Sequence, residues 1–394
     1  MPARKLKTMD DVLLSGKRVL VRVDFNVSVG ADGKVDEHED YRIETAMETI
    51  QQLRSERCRV LLLTHLGRPG EEDGNFDLKP IVRRLEDLIG DEVRMVDTLS
   101  GPKVEAIVSA LEPGGIVMLP NVRMDNREMH SNDKFGAEIA AAADVYINEA
   151  FSNSHRAHTS MAVLPRLLQS CAGRRTVLEV MALGKLKDVP AHPYVAITSG
   201  AKITTKIGML RELLLKVDKL CVGGQIANVF LAAMGKWPGS NFHPDELAAA
   251  TSLLETHKDK LVIPVDVVLG DTQGGDGSVQ VVDVDAIPEE AAGLWDIGPK
   301  SVEQILAVCA GAKTIMWNGP VGKFEVPAYA KATKHLAEAM AALPAYRVVG
   351  GGDTVNALEA YHLVKKYDHV SVGGGAMIEF LEGKIMPGLE PLYT

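Results

Sequence analysis

The stretch KRVLVRVDFN, residues 17–26, decides the fold. From Val19 to Val23 it is aliphatic except for Arg22, without the alternation of a half-exposed strand, so it reads as a strand buried on both faces of a parallel sheet. Its end then turns polar at Asp24-Phe25-Asn26. Outward from it, helical spacing runs from about Tyr41 to Glu56, a second strand covers Cys58–Leu66, and a helix covers Leu78–Ile89. A strand at Gly115–Leu119, an alanine-rich helix at Lys134–Ala143 and a strand at Val145–Phe151 continue the series. This alternation implies a parallel sheet with helices on both faces.

The segment Arg174–Lys187 has helical spacing and ends at Val189-Pro190; beyond it the alternation restarts. Strands are expected at Tyr194–Thr198, Lys219–Val222, Leu261–Leu269, Thr314–Trp317, Tyr346–Val349 and His369–Val372. The reading is an α/β chain with two doubly wound parallel-sheet, Rossmann-like domains joined by a helical hinge. The first domain spans residues 1–173, the hinge 174–189 and the second domain 190–386. A length of 394 residues suits two cores, and 46% hydrophobic with 5% aromatic content suits packing by aliphatic strands.

The net charge of −10 argues against nucleic acid or an acidic membrane as partner, because both require clustered cations. Four cysteines, Cys58, Cys171, Cys221 and Cys309, form no C-x-x-C pair and read as reduced, buried thiols. The opening MPARKLKTMDD has no apolar run after its basic residues, and no stretch of 18 apolar residues follows, which predicts a cytoplasmic protein. Of the 19 arginines, 15 fall within residues 1–170, a skew that points to bidentate anion recognition in the first half.

Ligands of open parallel sheets bind beyond the carboxyl ends of the strands, so the polar strand ends are the candidate sites. In the first half they bring Asp24, Asn26, His65, Arg68, Arg123 and Arg156 to one sheet edge, with Arg42 opening the helix after the first strand. Singly, Asp24 could cap a turn and His65 could be a satisfied core histidine; as a set they read as a site for a small anionic acid. His155 and His158 bracket Arg156 in HRAH, but without the glutamate of a zinc motif or a nearby cysteine.

In the second half the strand ends are glycine-rich: SGA at 199–201, Gly223-Gly224, Asn318-Gly319-Pro320, GGGDT at 350–354 and GGG at 373–375. Glycine lets a phosphate approach the backbone at a helix start, where free N–H groups hold negative charge. Lys202 and Lys206 are spaced i and i+4 and are expected on one face in the first turns of the helix after SGA. Asp353 is placed either to cap a helix or to bind Mg²⁺ carried by a nucleotide. Neither a P-loop nor a G-x-G-x-x-G after a first strand occurs, which weakens a dehydrogenase reading.

From end to end the chain resembles the phosphoglycerate kinase family. The resemblance rests on RVDFNV at 22–27, HLGRP at 65–69, HRAH at 155–158, AKI at 201–203, WNGPVGKFE at 317–325, GGGDT at 350–354 and GGGAMIEFLEGK at 373–384, in the family's order and spacing. It implies reversible Mg²⁺-dependent phosphoryl transfer between 1,3-bisphosphoglycerate with ADP and 3-phosphoglycerate with ATP, by a hinge-bending monomer. It further implies a 3-phosphoglycerate site of Asp24, Phe25, Asn26, Arg42, His65, Leu66, Gly67, Arg68, Arg123 and Arg156. The implied nucleotide site is Lys202, Lys206, Gly224, Asn318, Pro320, Glu325, Gly351, Gly352, Asp353 and Thr354, with Asp353 linked to Mg²⁺. Arg42, Lys202 and backbone N–H groups near Gly352 and Gly374 are expected to neutralise the transferred group. The last residues, 387–394, are expected to return to the first domain. Departures from the family pattern include Ser28 for proline, NEAFSNSHRAH for NDAFGTAHRAH, Pro120 for glutamate, Met124 for phenylalanine, Ser199 for glycine and Val372 for threonine. A non-catalytic binding protein on the same scaffold is the competing reading.

Overall fold

The structure is a computed structural model and describes residues 4–30, 32–36, 39–70, 76–200, 206–237 and 240–394. The chain divides into two units, Met1–Met181 with Lys384–Thr394, and Ala182–Gly383.

In the first unit the strands are β1 (Arg18–Arg22), β2 (Arg59–Leu63), β3 (Val93–Met95), β4 (Ile116–Met118), β5 (Val145–Asn148) and β6 (Gln169–Ala172). They form one parallel sheet in the order β3-β4-β2-β1-β5-β6. Its helices are α1 (Tyr41–Glu44), α2 (Met47–Ser55), α3 (Lys79–Ile89), α4 (Pro102–Ser109), α5 (Asp133–Ala140) and α6 (Leu164–Leu167), and α7 (Arg174–Asp188) runs on into the second unit. Both sheet faces are buried. Val19, Val21, Val60 and Leu62 pack on one side with Ile50 and Leu85, while Leu20, Leu61, Val117 and Tyr146 pack on the other with Val104 and Ile139. This double burial is why β1 lacks alternation.

The helix expected over Tyr41–Glu56 is in fact two. It breaks after Glu44, where Thr45 Oγ1 donates to the Arg42 carbonyl at 2.8 Å. β3, β6 and α4 escaped the sequence reading: the two strands span three and four residues, too short for periodicity to register. The C-terminal residues pair with the N-terminal ones within this unit, through Lys7 N–H to the Leu392 carbonyl at 2.8 Å and Thr394 N–H to the Lys5 carbonyl at 2.9 Å.

The second unit carries β7 (Tyr194–Thr198), β8 (Lys219–Val222), β9 (Leu261–Val262), β10 (Asp266–Gly270), β11 (Val279–Asp283), β12 (Leu294–Ile297), β13 (Thr314–Asn318), β14 (Tyr346–Gly350) and β15 (His369–Ser371). Six of these form a parallel sheet in the order β15-β14-β13-β7-β8-β9. Counted within this sheet the order is 3-2-1-4-5-6, the doubly wound arrangement whose switch point lies between its first and fourth strands, β7 and β13. The helices are α8 (Ile207–Lys216), α9 (Gly224–Ala233), α10 (Pro244–His257), α11 (Pro299–Cys309), α12 (Lys331–Ala341), α13 (Gly352–Ala360) and α14 (Gly375–Leu381).

A second, antiparallel sheet, β11-β10-β12, which was not foreseen, accompanies the parallel sheet that was expected. The single strand expected over Leu261–Leu269 is two strands in different sheets, interrupted at Ile263-Pro264-Val265, because proline cannot donate to a ladder. The small sheet has its own core of Leu231, Val267, Leu269, Val284, Ile287 and Leu294. All four cysteines are free and buried.

Candidate active-site regions

In the first unit, the residues after β1 and β2 lock together at the carboxyl edge of the sheet. The Phe25 N–H donates to Thr64 Oγ1 at 3.0 Å, and the Gly67 N–H donates to Asn26 Oδ1 at 2.8 Å. Gly67 has φ of +60°, a conformation that favours glycine. The Gly67 carbonyl in turn accepts from Arg123 Nη1 at 2.7 Å, while Asn121 spans Leu66 from both sides. Arg42 Nη1 reaches Asp24 Oδ2 at 3.3 Å.

The electrostatics at this edge are dominated by several arginines close to one another. Arg22 is wholly buried; its Nη2 meets His65 Nδ1 at 3.2 Å and its Nε donates to Ser160 Oγ at 2.9 Å. Burial first, then Arg22 and Arg156, pushes the Arg123 guanidinium down to about 10, and Arg68 acts in the same direction. The His65 imidazole is held well below its ordinary range by burial and by Arg22, Arg123, His158 and Arg156. Burial and Arg123 push His158 down to about 3. Crowded guanidiniums beside histidines whose protonation burial disfavours suit the binding of an anion. Arg123 Nε and Asp24 Oδ1 are buried with no hydrogen-bond partner among the described residues.

All ten residues expected in the acid site belong to this edge: Asp24, Phe25, Asn26, Arg42, His65, Leu66, Gly67 and Arg123 through the bonds and contacts given, Arg68 and Arg156 through their effect on Arg123. Sequence reasoning missed the layer beneath. Glu128, wholly buried, accepts from Ser160 N–H at 2.9 Å and Ser160 Oγ at 2.6 Å, so one hydroxyl links it to Arg22. An arginine inside an aliphatic strand was the available signal for Arg22.

In the second unit a cavity of about 320 Å³ opens at the switch point, beyond β7 and β13, where Thr198 pairs with Asn318. Its lining includes Lys206, Gly224, Asn318, Pro320, Glu325, Gly351, Gly352, Asp353 and Thr354, which are all the described residues expected to bind a nucleotide. Lys202 lies outside the described residues. Lys206 was expected inside the helix, but it precedes α8 as its capping residue; its ammonium donates to Asn318 Oδ1 at 2.6 Å and to the Ser199 carbonyl. Burial pushes that ammonium down to about 8, with Asp353 opposing.

Glycine is required at two turns here. Gly319 has φ of +98°, and a Cβ would lie 2.4 Å from the Ser199 carbonyl oxygen; its N–H donates to Thr354 Oγ1 at 2.7 Å. Gly351, φ +97°, caps α13, so Gly352 and Asp353 occupy the helix's first two positions, where N–H groups have no intrahelical acceptor. Gly374 is not among the residues lining the cavity; it caps the seven-residue α14 beyond β15.

The sequence reading also missed Gln273, Leu294, Trp295 and Lys323, which line the same cavity. Leu294 and Trp295 sit on β12 of the antiparallel sheet. The Lys323 ammonium lies 5.8 Å over the Trp295 ring and donates to the Gln273 carbonyl at 3.1 Å. Among the described residues no three His, Cys, Asp or Glu side chains are grouped to hold a metal, so a divalent ion beside Asp353 would need phosphate oxygens as further ligands.

A sequence profile described as phosphoglycerate kinase matches residues 9–384. Phosphoglycerate kinases from Herpetosiphon aurantiacus and Moorella thermoacetica are 40% and 41% identical over 391 and 390 residues, covering 98% of both chains in each case. The structure of phosphoglycerate kinase from Coxiella burnetii superposes with a TM-score of 0.84 at 37% identity, covering 98% of this chain and 99% of that one. The Pyrococcus horikoshii enzyme superposes at 0.88 with 25% identity and 98% coverage of both.

Proposed function

Because this chain belongs to the phosphoglycerate kinase family, we propose that the arginine-rich edge of its first unit holds 3-phosphoglycerate and that the switch-point cavity of its second unit holds ATP or ADP. The family's reaction is the glycolytic transfer of a phosphoryl group between 1,3-bisphosphoglycerate and ADP, giving 3-phosphoglycerate and ATP. The observation that supports the site assignment is the gathering of Arg22, Arg156 and Arg68 around Arg123, whose repulsion, only partly offset by Glu128, an anionic ligand would relieve further.

In the ATP-consuming direction the nucleophile is a carboxylate oxygen of 3-phosphoglycerate. Its pKa lies far below 7, so it needs no general base. The protein's part is to position and to neutralise. Arg123, Arg156, Arg68 and His65 hold the phosphoglycerate anion, and Asp24 Oδ1 accepts its hydroxyl. Arg42 faces the transferred group, which moves from ATP to the carboxylate as the bond to ADP breaks. Lys206 and the N–H groups at Gly352 and Asp353 hold nucleotide phosphates. Asp353 suits Mg²⁺ by its hard oxygen donors at the cavity wall; the ion, when bound, supplies charge neutralisation between phosphate oxygens. Lys202, which lies outside the described residues, is proposed from its motif alone to neutralise the transferred group.

The finer proposal is a cytoplasmic monomer in which residues 174–189 act as a hinge that brings the acid and the nucleotide together and excludes water. No described helix is long and apolar enough to cross a membrane. The decisive test is ATP-dependent formation of 1,3-bisphosphoglycerate from 3-phosphoglycerate with Mg²⁺. Undetectable turnover by the wild-type chain overturns the reading in favour of a binding protein. For the hinge, small-angle scattering should show compaction only with both substrates present.

A further inference from the structure

We propose that Ser152 is a positioning residue for the acid site, orienting Asp24 so that one carboxylate oxygen is reserved for the hydroxyl of the phosphoglycerate. The inference rests on the phosphoglycerate reading above and extends it to a residue outside the family's site pattern.

Asp24 has two unequal oxygens. Oδ2 accepts from Ser152 Oγ at 2.5 Å and from Arg42 Nη1 at 3.3 Å, whereas Oδ1 is buried with no hydrogen-bond partner. His65 Nδ1 is 3.9 Å from Oδ1, too far to bond, and lies closer to Arg22 Nη2. An ionised carboxylate offers about four acceptor sites, and a buried oxygen left without a donor is unfavourable. A ligand hydroxyl is the complement.

The Ser152 hydroxyl is itself directed. Asn153 Nδ2 donates to Ser152 Oγ at 3.0 Å, so that oxygen serves as acceptor on one side and its proton is left for Asp24 on the other. Both residues belong to the short 3₁₀ turn Phe151–Asn153 after β5, in which Asn153 is buried and its N–H bonds back to the Ala150 carbonyl. The direction Asn153 to Ser152 to Asp24 is therefore set by a folded turn, not by a mobile surface side chain. Carboxylate rotation about its terminal torsion is broad. Without Ser152, Arg42 could draw either oxygen toward itself, leaving Asp24 less ready for the substrate and Arg42 less ready for the transferred group.

The test compares Ser152→Ala and Ser152→Thr with the wild type in the ATP-consuming assay. Loss of a hydrogen bond to a charged group predicts a rise of about tenfold in KM for 3-phosphoglycerate in Ser152→Ala, with the KM for ATP unchanged and with Ser152→Thr close to wild type. The discriminating probe is 3-phosphonooxypropanoate, which lacks the C2 hydroxyl. Its inhibition constant should be the same for the wild type and Ser152→Ala, because the oriented oxygen has nothing to accept. Equal KM values for 3-phosphoglycerate in the wild type and Ser152→Ala overturn the proposal, as does an equal loss of affinity for the hydroxyl-free analogue. An inactive wild type would instead defeat the functional reading itself.

Discussion

The two candidate sites capture negative charge by opposite means. At the edge of the first sheet the work falls to side chains: burial first, then Arg22, Arg123 and Arg156, depress the His65 and His158 imidazoles. At the switch point of the second sheet it falls mainly to backbone and space, through Gly319, Gly351 and the open start of α13, with Lys206 as a half-buried cation. A guanidinium cluster selects by charge and planar geometry, and it carries a repulsion that its ligand must relieve. A glycine-lined cavity selects by shape and tolerates little added volume. The first site should therefore be sensitive to charge deletion and pH, the second to the addition of single atoms.

The largest effect that would sharpen this contrast is expected from Arg42→Ala, which should lower kcat by about 10²–10³-fold by removing a donor to the transition state. A raised KM with unchanged kcat would move Arg42 from the transferred group to ground-state binding. Next comes Gly319→Ala. The added Cβ meets the Ser199 backbone at a φ that disfavours alanine, so about 3 kcal/mol of stability should be lost in denaturant unfolding together with ADP binding. Retained ADP affinity would break the claim that the second site is shaped by space.

A smaller effect concerns pH. Since His158 is pushed down to about 3 in the folded chain, protons bind the unfolded chain better, and the stability due to neutral His158 is lost as pH falls from about 6.5 toward 3. Glu149 and Asp296, both pushed up to about 7 by burial, act with the opposite sign and lower stability as pH rises toward 7. The wild type therefore has to be read against His158→Gln, with Glu128, Arg22, Arg123, Arg156 and His155 as the charged and titratable neighbours. Between pH 7 and pH 5 the wild-type Tm should fall by roughly 2–4 °C more than that of the variant. Parallel profiles would remove the charge argument for the first site. The smallest effect is expected from Lys323→Ala, which removes the cation over Trp295 and should raise the KM for ATP by roughly two- to fivefold, leaving that for 3-phosphoglycerate unchanged.

Legibility differed between the two regions for physical reasons. Asp24, Asn26, His65 and Arg123 were readable because the loops after parallel strands share one edge whatever the details of packing. Arg22, Glu128, Ser160 and Ser152 were not, because their roles depend on which atoms burial brings together across as many as 138 positions of chain, as in the Arg22 to Ser160 bond. Trp295 and Leu294 stayed hidden behind the antiparallel sheet, whose β11 is mostly exposed and whose β12 has only four residues. Pro264 did signal the break between β9 and β10, and the fused strand expected there overlooked it.

By itself, the sequence determined the alternation of strands and helices, the two parallel sheets and the family, because periodicity and local motifs are properties of neighbouring residues. Tertiary structure alone decided the strand orders, the placing of the cavity at the β7/β13 switch point and the inequality of the two Asp24 oxygens. Those depend on burial and on distances between residues remote in the chain, which no local pattern encodes.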